Sequence, residues 1–288
     1  MNKRQIRILI FTLSLFFVCI TPTHNVSATN KSDWTENKLI AHAMGGISGK
    51  TYSNSYEAFI VNYEKGHRVF EVDLVLTSDD YLVAVHDWTR GVIVDMLKYD
   101  IPKEKWDKPL TRDKFLNHRL MDKYTPLTFD NIVAIMKMYP DIYIVTDTKE
   151  VNADIVKKQF NIITAATKGD KSILKRIIPQ VYDQKMYDVV NSIYKFDSYI
   201  YTLYASPDTD DQVVEFVKDK NIEVVTMPPY RIKDEFIQKL KEDDKLIYTH
   251  TINNLLDLKQ WEEKGVYGFY TDHIFYDKLL EIDELLYK

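Results

Sequence analysis

Two rhythms of apolar residues take turns along this chain. Short runs that are alternating or continuously apolar, at residues 38–42, 69–77, 142–147, 177–182, 199–204, 222–227, 246–251 and 266–271, read as strands. Between most of them the apolar residues recur every third or fourth position. In 54–65, for example, Tyr56, Phe59, Ile60 and Tyr63 mark one helical face, and Asn54 with Glu57 three residues on supplies a start signal. A further apolar run, 82–86, follows the polar segment Thr77-Ser78-Asp79-Asp80-Tyr81 too closely for a crossover, so it reads as the return arm of a hairpin. Eight alternating units in about 250 residues predict an α/β fold, a (β/α)8 TIM barrel. No linker or low-complexity tract interrupts the pattern, so one domain over residues 29–288 is expected.

In such a barrel the chemistry gathers at the carboxyl ends of the strands, and His42, Glu71, Asp73 and Asp147 fall there. Glu71 and Asp73 lie two residues apart on a strand and share a face, as oxygen ligands of one hard cation must. Burying that pair among Val69, Phe70, Val72, Leu74 and Val75 without a cation is costly. A two-residue loop at Asp79-Asp80 sets His86 directly opposite Asp73. Carboxylate ligands with no cysteine in reach favour Mg²⁺ or Ca²⁺ over zinc or copper. His42 and His86 supply imidazoles that titrate near neutral pH.

These residues resemble the glycerophosphodiester phosphodiesterase family, which has a His-Arg-Gly strand end, a Glu-x-Asp strand and a His-Asp after a Thr-x-Asp-Gly turn. Here the corresponding segments are His42-Ala43-Met44-Gly45, Glu71-Val72-Asp73 and His86-Asp87. Tyr124-Thr125-Pro126-Leu127, Thr146-Asp147-Thr148-Lys149, His250-Thr251-Ile252-Asn253 and the run from Gly265 to Asp272 continue the likeness, which spans about residues 38 to 275. Two departures stand out. Ala43-Met44 replaces the arginine expected after the first histidine, and Asp147 replaces a glutamate. Both features are similar to the sphingomyelinase D branch of the same phospholipase-like barrel superfamily.

The resemblance implies the PLC-like phosphodiesterase type of barrel and a metal-dependent cleavage in which His42 and His86 flank the phosphorus. One accepts a proton from the attacking glycerol hydroxyl and the other gives one to the leaving alcohol. Glycerol phosphate forms, directly or through a cyclic phosphate. Glu71, Asp73 and Asp147 are the expected metal ligands, and Lys149 is placed to neutralise phosphoryl oxygens. Asn54 is expected either to cap its helix or to touch the metal or phosphate. Trp88 and Tyr230 are expected as pocket walls, and the insertion 88–124 as a cover for the site. His67, His118, His250 and His273 are expected at surface or core positions. The rival readings are a phospholipase D-like lyase and a barrel without turnover that binds envelope components.

The amino terminus bears Lys3, Arg4 and Arg7, an apolar run from Ile8 to Ile20 and the small-residue site Val26-Ser27-Ala28, the pattern of a secretory signal peptide over residues 1–28. Its removal takes away the single cysteine, Cys19, and leaves 35 basic and 43 acidic side chains, a net −8 against −5 for the whole chain. Stability must then come from a large core rather than disulfides. The negative balance disfavours nucleic acid as a partner. A location outside the cell or on its outer face is expected. The substrate is then a small or lipid-derived phosphodiester, with glycerol-phosphate envelope polymers as a further class.

Overall fold

The eight parallel strands anticipated from the apolar runs close on one another in a computed structural model that describes residues 32–98 and 102–286. In chain order the elements are β1 (Leu39–Ala41), α1 (Tyr56–Glu64), β2 (Val69–Leu76), β3 (Leu82–Ala84), α2 (Arg112–Leu116), α3 (Phe129–Met138), β4 (Tyr143–Asp147), α4 (Ala153–Ala166), α5 (Lys171–Leu174) and β5 (Ile177–Val181). They continue with α6 (Gln184–Ile193), β6 (Ile200–Thr202), α7 (Asp210–Asp219), β7 (Val224–Met227), α8 (Asp234–Glu242), β8 (Leu246–Thr249), α9 (Leu255–Glu263), β9 (Gly268–Thr271) and α10 (Tyr276–Leu286). Every neighbouring pair from β2 through β4 to β9 is parallel, and β1 pairs with both β2 and β9 to complete the ring. The signal-peptide segment 1–28 lies outside the described residues.

The interior of the barrel changes character from one end to the other. Ile40, Val69, Val145, Ile178, Ile200, Val224, Leu246 and Tyr270 pack into one inner cluster. Because strand side chains repeat every second residue, the next inward positions toward the carboxyl ends are Glu71, Asp147, Gln180, Thr202 and Thr226. The same pleat that buries a valine layer therefore lines the mouth with oxygen atoms. The opposite end is closed by Trp34, on the short helical turn Asp33–Glu36. Its indole is 2% exposed, packs against Tyr248 at 5.8 Å between centroids and donates from Nε1 to Ser198 Oγ at 2.8 Å. Trp34→Ala is expected to destabilise the protein by about 3–5 kcal/mol, the range for emptying a buried aromatic site. Urea unfolding measures it, and a loss below about 1 kcal/mol means that the plug is dispensable.

The hairpin arm β3 lies antiparallel to β2, as expected, but one residue out of the anticipated register. Leu74, Val75 and Leu76 face Ala84, Val83 and Leu82. The turn holds three residues, Ser78 to Asp80, because Thr77 N donates to Tyr81 O at 2.8 Å and Asp80 takes the left-handed conformation at φ 64°. Val85 rather than His86 is therefore opposite Asp73, with its N–H on Asp73 O at 3.1 Å. A full strand slipped by one would turn His86 away from the site. Since β3 ends at Ala84, His86 lies beyond the ladder and is free of that constraint.

The insertion 88–124 contributes none of its described residues to the lining of the cavity at the mouth of the barrel. Its described residues pack beside the hairpin: Trp88 donates from Nε1 to Leu76 O at 2.7 Å and meets Phe115 edge-on, while Ser78 N donates to Leu110 O and Arg112 N to Asp79 Oδ1. Trp88 is thus a buried strut of the hairpin, its indole N–H engaged by the backbone of β2, and it is not among the residues that line the cavity.

Candidate active site

The loop after β1 is built on left-handed backbone. Ala43, Met44 and Gly45 have φ of 49°, 67° and 87°, and Ser48, Tyr52 and Asn54 follow with φ of 49°, 58° and 47°. Non-glycine residues seldom adopt this region, and where they cluster the surroundings must hold them. A side chain at Gly45 would put its Cβ 2.3 Å from Asn62 Cγ, and Asn62 needs that space to donate to the carbonyls of Met44, Gly46 and Ala58. The conformation turns the Ala43 N–H onto Glu71 Oε2 at 2.7 Å. The departure from the family's arginine thus still leaves a backbone contact to the acidic cluster.

Asn54 is not the helix cap. Ser55 caps α1 by accepting from Ala58 N, and Glu57 instead accepts from Thr125. Asn54 clamps Asp73 from both sides, with Nδ2 on Asp73 Oδ2 at 2.8 Å and Oδ1 on Asp73 N at 3.0 Å. Asparagine suits this position because it tolerates left-handed backbone. Asn54→Ala strands a buried carboxylate oxygen and an amide, and is expected to cost about 1–3 kcal/mol in chemical unfolding. A change under half of that shows that water or a neighbour takes over the clamp.

Glu71, Asp73 and Asp147 converge so that one oxygen from each lies within 4.8 Å of the others, all three residues being buried. Two oxygens on opposite sides of a Mg²⁺ or Ca²⁺ ion stand about 4–5 Å apart, so the spacing fits a hard cation. Glu71 Oε1 is buried with no hydrogen-bond partner among the described residues, which fits the donor chemistry of a hard-cation ligand. Burial, followed by the charge of Asp73, raises the Glu71 carboxyl to about 8. Asp73 is lowered: burial opposes ionisation, but the charges of Lys149 and His86 and the Asn54 clamp outweigh it. Lys149 Nζ forms ion pairs with Asp73 Oδ1 at 2.8 Å and Asp147 Oδ2 at 2.5 Å, so the ammonium balances part of the cluster.

A cavity of about 200 Å³ opens at the mouth, lined by His42, Tyr52, His86, Asp147, Lys149, Gln180, Tyr204, His250, Thr251 and Tyr270. His42 Nδ1 is bound to Asp272 Oδ1 at 2.9 Å and His86 Nδ1 to Asp87 Oδ2 at 2.7 Å, which leaves Nε2 of each ring for a ligand. Tyr52 stands between the rings, edge-on to His42 at 4.7 Å and to His86 at 5.2 Å. Burial disfavours a charged His42, yet the Asp272 hydrogen bond and the charges of Glu71, Asp272 and Asp73 raise it to about 9. Tyr204 donates to Asp147 Oδ1 at 3.2 Å, and its ring lies 5.6 Å from Lys149 Nζ.

Of the residues singled out in the sequence, His42, His86, Asp147 and Lys149 line this cavity, and Glu71 and Asp73 share the carboxylate cluster. Trp88 and Tyr230 do not line it; Tyr230, on the turn Pro229–Arg231, is 77% exposed. His67 is a core residue bonded to Ile274 O, and His118 Nδ1 is bonded to Lys114 O. His250 belongs to the cavity wall rather than to core or surface alone, between Tyr204 and Tyr270. Burial, then the charges of His42 and Lys149, lowers it to about 4, so it is neutral there. Sequence reasoning missed Tyr52, Tyr204 and Asp272. Asp272 was recoverable, since it follows β9 as His42 follows β1, while Asn253, after β8, anchors it with two 2.7 Å hydrogen bonds.

A (β/α)8 barrel whose mouth joins a buried carboxylate triad to two carboxylate-bound imidazoles has the makings of a hydrolytic enzyme site. The sequence matches the glycerophosphoryl diester phosphodiesterase family over residues 45–275, and the chain belongs to that family and is a phosphoric diester hydrolase. The match begins just past His42, where Ala43-Met44 departs from the family pattern. Direct comparison with curated proteins finds no match. Among solved structures, a glycerophosphodiester phosphodiesterase from Parabacteroides distasonis aligns over 88% of this chain and 98% of its own, at 15% identity and TM-score 0.67. A phosphodiesterase from Oleispira antarctica in complex with the product sn-glycerol-3-phosphate aligns over 86% and 96%, at 12% identity and TM-score 0.67. One from Thermotoga maritima aligns over 87% and 98%, at 18% identity and TM-score 0.61. At these identities the likeness is one of fold.

Proposed function

We propose that this protein cleaves glycerophosphodiesters at the mouth of the barrel, with His42 and His86 as the proton-transferring pair and Glu71, Asp73 and Asp147 as ligands of Mg²⁺ or Ca²⁺. The observation that carries the reading is a cavity of about 200 Å³ lined by both imidazoles, Lys149 and Asp147, with Asp147 clustered with Glu71 and Asp73 in the carboxylate triad. That volume suits a glycerol-phosphate group rather than a whole lipid. A bound cation supplies positive charge next to the phosphoryl oxygens. Lys149, no longer needed to balance the triad, is then free to meet those oxygens and to do part of the work of the absent arginine. The hydroxyl of the glycerol attacks phosphorus and gives its proton to one imidazole. The other imidazole protonates the departing alcohol, and a cyclic phosphate remains for water to open.

The amino-terminal pattern supports a site of action outside the cytoplasm, where deacylated phospholipids and glycerol-phosphate polymers are candidate substrates. Phosphorus NMR of reactions with glycerophosphocholine, a glycerol-phosphate oligomer and lysophosphatidylcholine, in Mg²⁺, Ca²⁺ or chelator, tests the proposal. Metal-dependent release of glycerol phosphate from the soluble diesters supports it. A cyclic product as the final species assigns the chain to the lyase reading that Ala43 and Asp147 suggest, and no turnover of any substrate overturns both.

A further inference from the structure

Ten large hydrophobic side chains are exposed among the described residues, and their distribution is one-sided. Met138 ends α3, and Leu280 lies in the second turn of α10, past the segments that join strand to helix. Tyr81 and Leu116 belong to the hairpin and the insertion beside it. The remaining six are Tyr52, Val151, Ile155, Tyr204, Tyr230 and Leu256, with exposures of 38, 56, 38, 36, 77 and 66%. Each follows a barrel strand: β1, β4 for two of them, β6, β7 and β8. In a parallel barrel those segments form the rim of the catalytic face. Isolated exposed apolar residues need no explanation, but a set gathered round one opening does.

Whatever meets this rim must leave the cavity supplied with substrate, because Tyr52 and Tyr204 belong both to the rim and to the cavity wall. A protein seated across it would obstruct entry, whereas a lipid assembly brings the phosphodiester with it. The charges choose among lipids. Arg231 and Lys233 are paired with Asp210, and Lys239 with Asp211 and Glu235, while the other acids of these segments, Glu150, Asp154, Asp234 and Asp257, outnumber the exposed rim lysines Lys50 and Lys185. An acidic face is repelled by anionic headgroups and tolerates zwitterionic ones. From these features we infer that the rim docks on a zwitterionic lipid surface and that the site accepts phosphodiesters still carrying an acyl chain. The second half of this inference rests on the phosphodiesterase reading above; the docking does not. The apolar tips enter the headgroup region, and the glycerol phosphate reaches down to the triad.

The test compares the chain from residue 29, which keeps the whole barrel, with its Val151→Ser/Tyr230→Ser/Leu256→Ser variant, none of these residues lining the cavity. Partition to phosphatidylcholine vesicles is expected to fall about 10-fold or more in the variant. Turnover of lysophosphatidylcholine micelles falls in parallel, while that of soluble glycerophosphocholine is unchanged. Equal partition of the two proteins overturns the inference, as does wild-type binding confined to vesicles containing phosphatidylglycerol. If the wild type binds phosphatidylcholine in a rim-dependent way yet cleaves neither substrate, the docking surface stands and the catalytic reading fails.

Discussion

In chelator at pH 8, Glu71→Gln will be at least as stable as the wild type, and on addition of Mg²⁺ or Ca²⁺ the order will reverse. The carboxyl of Glu71 is raised from 4.5 to about 8 by burial and by the charge of Asp73. Between those two values the folded protein holds a proton that the unfolded chain has released, so stability falls as pH rises from about 4.5 to about 8. Glutamine has no proton to lose and removes that slope. It also keeps an acceptor for the Ala43 N–H, which now meets Glu71 Oε2 at 2.7 Å. The wild type, by contrast, gains about 2.7 kcal/mol when a cation is present at 100 times its dissociation constant. The glutamine variant lacks the charge that draws the cation and forfeits most of that gain.

Activity is expected to fall by about 10³-fold, the several kcal/mol that a metal ion contributes to charge stabilisation. Thermal unfolding with chelator and with each cation, at pH 6 and pH 8, reads both halves of the expectation. A cation-induced rise in Tm as large in the variant as in the wild type removes Glu71 from the ligand set. Asp73→Asn makes a useful contrast. Its carboxylate is paired with Lys149 and clamped by Asn54, so its loss destabilises the protein with or without metal.

The barrel was legible in the sequence because its signals are local. Each apolar run of five to nine residues with a helical stretch behind it is a unit that needs no distant information. The same holds for Glu71 and Asp73, whose shared face follows from the pleat alone. The register of His86 was not legible, since Thr77-Ser78-Asp79-Asp80-Tyr81 is compatible with two- and three-residue turns, and the difference rests on whether Asp80 adopts a left-handed conformation. The cap reading of Asn54 failed for a related reason. An asparagine ahead of a helix is a good cap in isolation, and only the approach of β2 shows that its amide is engaged by Asp73. Tyr52 and Tyr204 were lost among the 20 tyrosines, because what distinguishes them is a loop conformation and a position over the mouth. Trp88 was misassigned because adjacency to His86 in sequence says nothing about the side its indole faces.

His42→Ala is expected to lower kcat by about 10² to 10⁴-fold, the usual contribution of a positioned acid or base, and to lower stability most below pH 6.5, where the charged imidazole is paired with Asp272. The more discriminating variant is Asp272→Asn, which leaves the ring in place and changes only what holds it. Asp272 accepts from Asn253 Nδ2 and donates its own amide to Asn253 Oδ1, so its carboxylate is fixed before it meets His42 Nδ1. With Glu71 and Asp73 it keeps the imidazole protonated up to about 9 against the cost of burial. A base whose folded pKa is raised stabilises the fold fully below its unfolded value of 6.5, and that contribution disappears as pH rises through 9. In Asp272→Asn the charge and the strongest hydrogen bond go together, so the limb of the pH-rate profile that His42 controls moves to lower pH, and the extra stability below pH 6.5 shrinks with it. A purely structural Asp272 would lower kcat or Tm without moving that limb. If the profile of Asp272→Asn overlays that of the wild type while His42→Ala is inactive, His42 acts without its carboxylate partner, and proton control at this site must come from the triad itself.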